Sequence, residues 1–305
     1  MVTWRELVAE ATGTLSDAAV PDAEMSARRI GWEATGTSAA DWHEVADRDA
    51  TERQLASFDR MVGRRRDGEP LQYVLGSWGF RTLDLMVDRR VLIPRPETEV
   101  VAGAAIDELD RQTGGADRRA AGRPVVADRP VTAPVVADLG TGSGAIGLAI
   151  AAERPGTEVW LTDVSADALD VARANLAGLG RAGGAVRLAE GHWFSALPDE
   201  LVGSLAVVVS NPPYVASPDD LEPVVAAWEP PGALLADAEG RADLLHLVDA
   251  APRWLVADGA LVLELDPSQA SVVAERAATR FARVDTVDDL AGRTRAVVAS
   301  GPTNR

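Results

Sequence analysis

Apolar residues recur at helical spacing through about the first 70 residues of the chain. Trp4, Leu7 and Ala11 are three or four positions apart, and similar spacing recurs within residues 23–34 and 55–62. Such intervals place apolar side chains on one face of a helix. The pattern therefore predicts a small helical domain at the amino end.

The composition favours β-structure between residues 72 and 93, where YVLGSWGF, LDLMV and RRVLIPRP follow one another. Glycines between these runs suit turns, so the segment is predicted to form a β-hairpin. Pro94 and Pro96 end its last strand because proline has no N–H to donate. Thr98 is predicted to cap a helix whose apolar positions extend to Leu109.

Short β-branched runs alternate with helical patterns after Pro134. Seven strands are predicted, over residues 135–139, 158–163, 185–190, 205–210, 260–265, 281–287 and 295–300. Ser165 should cap one intervening helix, and another should span residues 242–256. This alternation predicts an α/β domain with a parallel, doubly wound sheet and helices on both faces. The last two strands, with no clear helix between them, are predicted to form an antiparallel edge hairpin.

These patterns divide the chain into four predicted segments. They are residues 1–72, a helical domain; 73–94, the hairpin connector; 95–134, a helix followed by a flexible loop; and 135–305, the α/β domain. The loop is predicted over residues 111–134, which are rich in Gly, Pro, Ala and Arg and lack periodicity.

Composition restricts the classes of partner. The formal net charge of −17 argues against tight nonspecific binding to nucleic-acid backbones, although a local basic patch stays possible. The absence of cysteine excludes disulfides, thiolate nucleophiles and zinc–thiolate sites. The amino terminus carries charges where a signal peptide needs an apolar stretch, and no run of about 18 apolar residues occurs. A soluble cytoplasmic protein without a membrane partner is expected.

Residues 138–147, DLGTGSGAIG, follow the first strand of the alternation and open a helix. Glycines let a backbone pass close to a ligand, and a helix amino terminus offers unpaired N–H groups. Gly142, Gly144 and Gly147 fit G-x-G-x-x-G, and Asp163 follows about 20 residues later, as in dinucleotide-binding sites. Domains that bind S-adenosylmethionine use the same geometry, so these residues by themselves support both cofactors equally.

The strand at 205–210 ends in Asn211-Pro212-Pro213-Tyr214. An amide or aryl NH2 group is a weak nucleophile because its lone pair is delocalised. The Asn211 side-chain oxygen and the Pro212 carbonyl can accept its two N–H bonds, which leaves the lone pair facing a methyl donor, and Tyr214 can stack on the flat group. This arrangement suits methylation of a planar nitrogen by positioning and electrostatics, and it favours S-adenosylmethionine over a nicotinamide cofactor.

Six segments in order resemble the release factor glutamine methyltransferases, the HemK/PrmC family, and the resemblance covers nearly the whole chain. The segments are residues 68–80, 91–99, 138–151, 193–197, 210–215 and 228–237. The resemblance implies a class I methyltransferase fold, which is Rossmann-like with a seven-stranded, mostly parallel sheet, together with an N-terminal helical domain and a connecting β-hairpin. It further implies methyl transfer from S-adenosylmethionine to the side-chain amide of the glutamine in the Gly-Gly-Gln loop of class-one peptide chain release factors.

The resemblance also assigns roles to residues. The expected cofactor-binding residues are Gly140, Thr141, Gly142, Ser143, Gly144, Asp163 on the ribose, Trp193 on the adenine side, and Asn211. Asn211, Pro212 and Tyr214 are expected to be catalytic, and with Pro213 they form the substrate slot; no metal is implied. Arg95, Glu97 and Glu99 are either pocket neighbours or helix-start residues. The helical domain and hairpin would hold the release factor, and the enzyme is expected to be a monomer that does not bind nucleic acid directly.

The chain differs from the family at several positions, and two other functions are compatible with its motifs. His192 stands where the family commonly has an acid, and Leu265 and Asp266 follow Glu264 where it tends to glycine. The NPPY motif also suits a nucleic-acid amino (adenine) methyltransferase, which the acidic charge disfavours. A noncatalytic cofactor-binding partner of release factors is the alternative from another class.

Overall fold

The computed structural model describes residues 2–114 and 133–303. They form two compact units, Met1–Trp78 with Glu222–Trp228, and Gly79–Leu221 with Glu229–Arg305. Most of the loop predicted over residues 111–134 lies outside the described residues. Within those residues, no helix combines the length and apolar character that crossing a membrane requires.

The first unit is helical. Its helices are α1 (Trp4–Asp17), α2 (Ala23–Thr35), α3 (Trp42–Val45), α4 (Glu52–Arg66) and α5 (Leu71–Leu75). Thr3 and Thr51 begin α1 and α4 with reciprocal capping boxes. Trp4 packs edge-to-face on Phe58, with ring centroids 5.6 Å apart, in a core that also buries Leu15 and Ile30. The helical spacing of the sequence therefore corresponds to a packed face.

The hairpin consists of β1 (Ser77–Phe80) and β2 (Leu83–Met86). The β prediction was wrong at both ends of this region. Residues 73–75 lie in α5, and residues 89–93 form no paired strand in the described structure. The Ile93 N–H donates to the buried Glu229 carboxylate at 3.1 Å, so a side chain takes the place of a strand partner.

The second unit contains a seven-stranded sheet. Its strands are β3 (Val135–Leu139), β4 (Glu158–Asp163), β5 (Val186–Glu190), β6 (Leu205–Ser210), β7 (Leu255–Glu264), β8 (Phe281–Asp288) and β9 (Thr294–Pro302). Their order is β5-β4-β3-β6-β7-β9-β8, with β3 to β7 parallel and β9 antiparallel to both its neighbours. The doubly wound sheet and its antiparallel edge are confirmed.

Helices and 3-10 turns connect these strands. The α-helices are α6 (Pro96–Thr113), α7 (Ala145–Glu153), α8 (Ala166–Gly178), α9 (Pro223–Trp228, in the first unit), α10 (Asp237–Gly240), α11 (Ala242–Ala250) and α12 (Ala270–Ala278). The 3-10 turns are Gly180–Ala185, Trp193–Ala196, Asp199–Leu201, Pro218–Asp220, Pro231–Ala233, Ala251–Arg253 and Pro267–Gln269. The sheet is buried between two apolar clusters, one on each face, because nearly every strand residue of β3 and β6 is buried.

Three predictions concern the residues at which helices begin and end. Ser165 caps α8, as predicted, by accepting from the Ala168 N–H at 3.2 Å. Thr98 is not a cap: α6 begins at Pro96, and Thr98 is its third residue, with a buried side chain. The helix predicted over residues 242–256 ends at Ala250, because Pro252 cannot donate to a helical ladder.

Candidate active site

The glycine loop lies at the carboxyl end of β3, between that strand and α7. The N–H groups of Gly140 and Thr141 both donate to the Thr162 carbonyl at 2.8 Å, which fixes the loop to β4. Gly140 has φ +72°, and a Cβ there would lie 3.2 Å from the Trp193 ring. Gly144 begins α7 with φ +86°, a conformation that L side chains rarely adopt. The loop backbone is therefore accessible at positions where side chains would block it.

Asp138, which was not among the predicted site residues, holds this loop through side-chain hydrogen bonds. Its Oδ2 accepts the Thr141 hydroxyl at 2.6 Å and the Gly147 N–H at 2.9 Å. Its Oδ1 is buried and has no hydrogen-bond partner among residues 2–114 and 133–303. Burial raises the pKa of Asp138 to about 6, while these hydrogen bonds lower it. A polar residue at the end of an apolar strand was the sequence signal for it.

Asp138→Asn is expected to gain stability relative to wild type as the pH rises. The raised pKa means that folded protein retains the Asp138 proton between pH 3.8 and about 6, where the unfolded chain has lost it. Rising pH therefore destabilises the wild type through this group, and an amide at position 138 removes the effect. The variant-minus-wild-type difference in unfolding free energy should increase by about 1–2 kcal/mol between pH 5 and pH 8. Urea unfolding at both pH values measures it, and a constant difference would contradict it.

Asp163 ends β4 beside the glycine loop. Its carboxylate accepts the Gly142 N–H and the Ser165 N–H, both at 2.9 Å. Burial raises its pKa, and these backbone hydrogen bonds lower it. Asp163 therefore lies at the cavity and also joins the loop to the start of α8.

Trp193 lines the cavity with its ring beside Gly140. It is buried, has φ +47°, and donates from Nε1 to Asp243 at 3.0 Å. A positive φ is strained for a bulky residue, so the surrounding contacts hold this ring in place. The exposed His192 lies edge-on to Trp193, with ring centroids 5.5 Å apart, and also lines the cavity.

The NPPY segment leaves the carboxyl end of β6. The Ser210 hydroxyl donates to the Leu139 carbonyl at 2.6 Å, which ties β6 to β3 just before the motif. Gln269 donates from Nε2 to the Tyr214 carbonyl at 3.0 Å and fixes the other end. Burial and the nearby Glu264 charge together raise the pKa of Tyr214 to about 12, so the phenol keeps its proton. Asn211 donates from Nδ2 to the Thr98 hydroxyl at 3.4 Å.

A cavity of about 430 Å³ joins these elements, within the range of small-molecule sites. The predicted residues that line it are Gly140, Thr141, Gly142, Ser143, Asp163, Trp193, Asn211 and Pro213. Of the described residues, Gly144, Pro212 and Tyr214 adjoin these in sequence but are outside the lining. Thr98, Asp138 and Asp243 line it and were not predicted.

The acidic and basic residues of the PRPETE segment separate into different roles. Arg95 lines the cavity and pairs with the buried Glu229 at 2.6 Å. Glu97 instead pairs with Arg293 at 3.2 Å, and Glu99 accepts the Arg81 N–H at 3.0 Å. Of Arg95, Glu97 and Glu99, only Arg95 lines the cavity that the described residues form.

The strand order is that of a class I methyltransferase, and the glycine loop and the NPPY segment lie side by side at the carboxyl ends of the neighbouring strands β3 and β6. Together these features define that class. The crystal structure of the hMettl16 catalytic domain shares this fold, with a TM-score of 0.50, 13% identity, and coverage of 90% of this chain and 93% of that chain. Residues 6–76 match the PrmC N-terminal domain family, and residues 126–227 match the methyltransferase small domain family.

Comparison with curated relatives narrows the assignment from the class I methyltransferases to one family. Release factor glutamine methyltransferases from Xylella fastidiosa, Burkholderia pseudomallei and Bifidobacterium longum are 40%, 38% and 33% identical. The alignments cover 81%, 89% and 96% of this chain and 82%, 88% and 98% of those proteins. The chain belongs to the release factor glutamine methyltransferase family.

Proposed function

We propose that this protein transfers a methyl group from S-adenosylmethionine to the side-chain amide nitrogen of the glutamine in the Gly-Gly-Gln loop of class-one peptide chain release factors. The observation that carries the proposal is the position of Asn211, which lines the same cavity as the glycine loop and Asp163. Family membership supports the choice of a release-factor glutamine over other planar nitrogens. Because release factors act in translation, the proposed location is the cytoplasm.

The residues present fit this cofactor. The unpartnered Oδ1 of Asp138 offers an acceptor for a cationic group next to the glycine loop. Asp163 offers a carboxylate at the end of β4, where a ribose hydroxyl would bind, and Trp193 offers an aromatic ring beside Gly140. S-adenosylmethionine would supply an electrophilic methyl group on a positively charged sulfur.

The chain itself would position the substrate. The Asn211 side-chain oxygen and the Pro212 carbonyl would accept the two N–H bonds of the glutamine amide and hold its nitrogen in line with the donor. Tyr214, whose phenol is neutral, would pack on the flat amide without adding a charge beside it. Pro212 and Pro213 stiffen the segment, so the two acceptors keep their spacing. These groups would act by position and electrostatics. The methyl group would leave the sulfonium as a neutral thioether, and the amide nitrogen would lose one of its two protons to the solvent as the N–C bond forms.

The test is incubation with labelled S-adenosylmethionine and a purified release factor, beside its Gly-Gly-Gln→Gly-Gly-Ala variant, followed by peptide mass analysis. Label on the wild-type release factor alone, in the peptide that contains the motif, is the expected result. Label on both release factors would place the modified residue elsewhere. Label on neither, with cofactor binding shown separately, would direct the search to nucleic-acid amino groups, which the NPPY motif also suits.

A further inference from the structure

Two arginines and three aspartates line the cavity, and they differ in how their charges are balanced. They are Arg90, Arg95, Asp138, Asp163 and Asp243. Each arginine pairs with a carboxylate. The hydrogen bonds of the three aspartates come instead from neutral donors, and within residues 2–114 and 133–303 no basic side chain forms an ion pair with any of them. The cavity therefore presents anionic groups to a ligand, while its cations are already neutralised.

The carboxylates that neutralise the two arginines lie outside the lining. Glu229 accepts from Nη2 of Arg95 at 2.6 Å, and Asp88 accepts from Nη2 of Arg90 at 2.6 Å. Neither acid is among the residues that line the cavity. With every carboxyl group ionised, two cations and three anions leave the lining one net negative charge, and the two acids behind the arginines bring the total to three.

Glu229 is the more deeply buried of these two counter-ions. Its side chain is 2% exposed, against 34% for Asp88, so water screens the Glu229 charge much less. Both of its oxygens are used, because Oε1 accepts from Arg95 and Oε2 accepts the Ile93 N–H at 3.1 Å. A buried carboxylate is costly unless a cation compensates it, and here the compensating cation belongs to the wall of the cavity.

The guanidinium of Arg95 keeps its positive charge at every pH at which the protein would work. Without Glu229, that charge would be uncompensated in the wall of a cavity that, under the proposed function, must hold a positively charged sulfur. Charges interact strongly across a small, partly enclosed cavity, so the cation would repel the sulfonium. It would not repel the uncharged sulfur that remains after methyl transfer.

We propose that Glu229, and more weakly Asp88, are specificity-determining residues that cancel the arginine charges, so that the cavity favours the sulfonium of S-adenosylmethionine over the uncharged sulfur of S-adenosylhomocysteine. Neither acid lines the cavity, so each acts through the arginine that it neutralises. This inference rests on the cofactor of the proposed function and adds two residues to it that were not among the predicted site residues.

The first test is calorimetry of both ligands at pH 8, which is above the ordinary titration range of carboxyl and imidazole groups. Glu229→Gln keeps the shape of the side chain and removes its charge. Its Kd for S-adenosylmethionine should rise about 10-fold more than its Kd for S-adenosylhomocysteine. Glu229 also joins residues 93–95 to the chain that enters the lining at Pro230, and loosening of that contact would weaken both ligands equally. The ratio of the two Kd values therefore tests the charge, and an unchanged ratio would overturn the inference.

A double variant tests whether the charge of Arg95 is the cause. Arg95→Gln combined with Glu229→Gln carries neither charge, and two amides can hydrogen-bond to each other in place of the ion pair. The ratio of the two Kd values should then return close to that of wild type. If the double variant keeps the ratio of Glu229→Gln, an uncompensated Arg95 is not responsible, and the inference fails.

Glu108→Gln is the matched control. Glu108 is 8% exposed and pairs with Arg111 at 2.6 Å, and neither residue lines the cavity. The substitution removes a buried carboxylate from an arginine pair without changing the charge at the cavity, so the ratio should stay that of wild type. A change as large as in Glu229→Gln would show that the ratio reports general damage, and the inference would be lost.

Asp88→Asn provides a second variant at a more exposed pair. Its partners Asp88 and Arg90 are 34% and 37% exposed, so solvent screens them and the preference for S-adenosylmethionine should fall only about 2- to 3-fold. If thermal melting shows that Glu229→Gln does not fold, this variant decides the question. An unchanged ratio in Asp88→Asn would then overturn the inference.

These binding measurements do not depend on methyl transfer, so they separate the inference from the proposed function. If wild type binds neither ligand, the proposed cofactor is wrong and the inference falls with it. If both ligands bind and the ratio shifts as expected but no release factor is methylated, the proposed substrate is wrong and the role of Glu229 stands. If the release factor is methylated but Glu229→Gln leaves the ratio unchanged, the inference fails by itself.

Discussion

Asn211→Ala is expected to lower kcat for glutamine methylation by about 10²- to 10³-fold, the range found when one preorganised polar contact to a reacting group is removed. Alanine removes the side-chain oxygen that would accept a substrate N–H bond, and Pro212 cannot hold the amide in one orientation by itself. Cofactor binding should largely survive, because the glycine loop, Asp163 and Trp193 are held by other contacts.

Two measurements separate this result from general damage. Cofactor affinity by calorimetry and the melting temperature should both stay close to wild type, since the substitution removes only a long hydrogen bond, 3.4 Å, to Thr98 among the described residues. Retained methyl transfer in Asn211→Ala would refute the role of the amide. Loss of cofactor binding would instead assign Asn211 to the cofactor rather than to the substrate.

Asn175→Leu is expected to cause the largest loss of stability, about 3–5 kcal/mol. Asn175 is 8% exposed and uses its whole amide: its oxygen accepts the Met86 N–H at 2.7 Å, and its nitrogen donates to the Met86 and Ser143 carbonyls at 3.1 and 2.8 Å. Leucine has a similar size but leaves three backbone groups without these partners. For a domain of this size the melting temperature should fall by roughly 10 °C.

The Asn175 variant should also bind cofactor more weakly, because the Ser143 carbonyl belongs to the glycine loop. Thermal melting and calorimetry with S-adenosylmethionine measure the two effects. Asn211→Ala is the matched comparison, because the two substitutions should affect different properties. The change at position 175 should lower stability, and the change at position 211 should lower kcat. An unchanged melting temperature for Asn175→Leu would show that solvent or relaxation satisfies the released groups.

Local sequence was sufficient for the parts of the fold that depend on neighbours in the chain. The strands β3 to β6 were predicted almost to the residue because each is a short run with β-forming residues between turn signals. In β3 and β6 the run is nearly continuous and apolar because these strands are buried on both faces. Ser165 was identifiable as a cap because a capping bond spans only three residues. The glycine loop and NPPY were visible because each is a contiguous motif at the end of such a strand.

Errors arose where a distant residue replaced a local partner. The segment ending at Ile93 has strand-like composition, but its N–H is satisfied by Glu229, 136 positions away. Thr98 is a residue type that often caps helices, yet its buried hydroxyl accepts a hydrogen bond from Asn211, 113 positions away, instead of capping its own helix. Propensity describes what a residue favours locally, and tertiary contacts can outweigh it.

The sequence by itself determined the order of strands and helices, the glycine loop, the methyl-transfer motif and, through resemblance, the family. Only the tertiary structure decided which polar side chains support that motif. Asn175 lies 89 positions along the chain from Met86, whose backbone it holds, and Glu229 lies 136 positions from Ile93, whose N–H it accepts. The physical reason is that a buried polar atom must find a partner in space, and which partner it finds depends on how the strands are ordered and aligned.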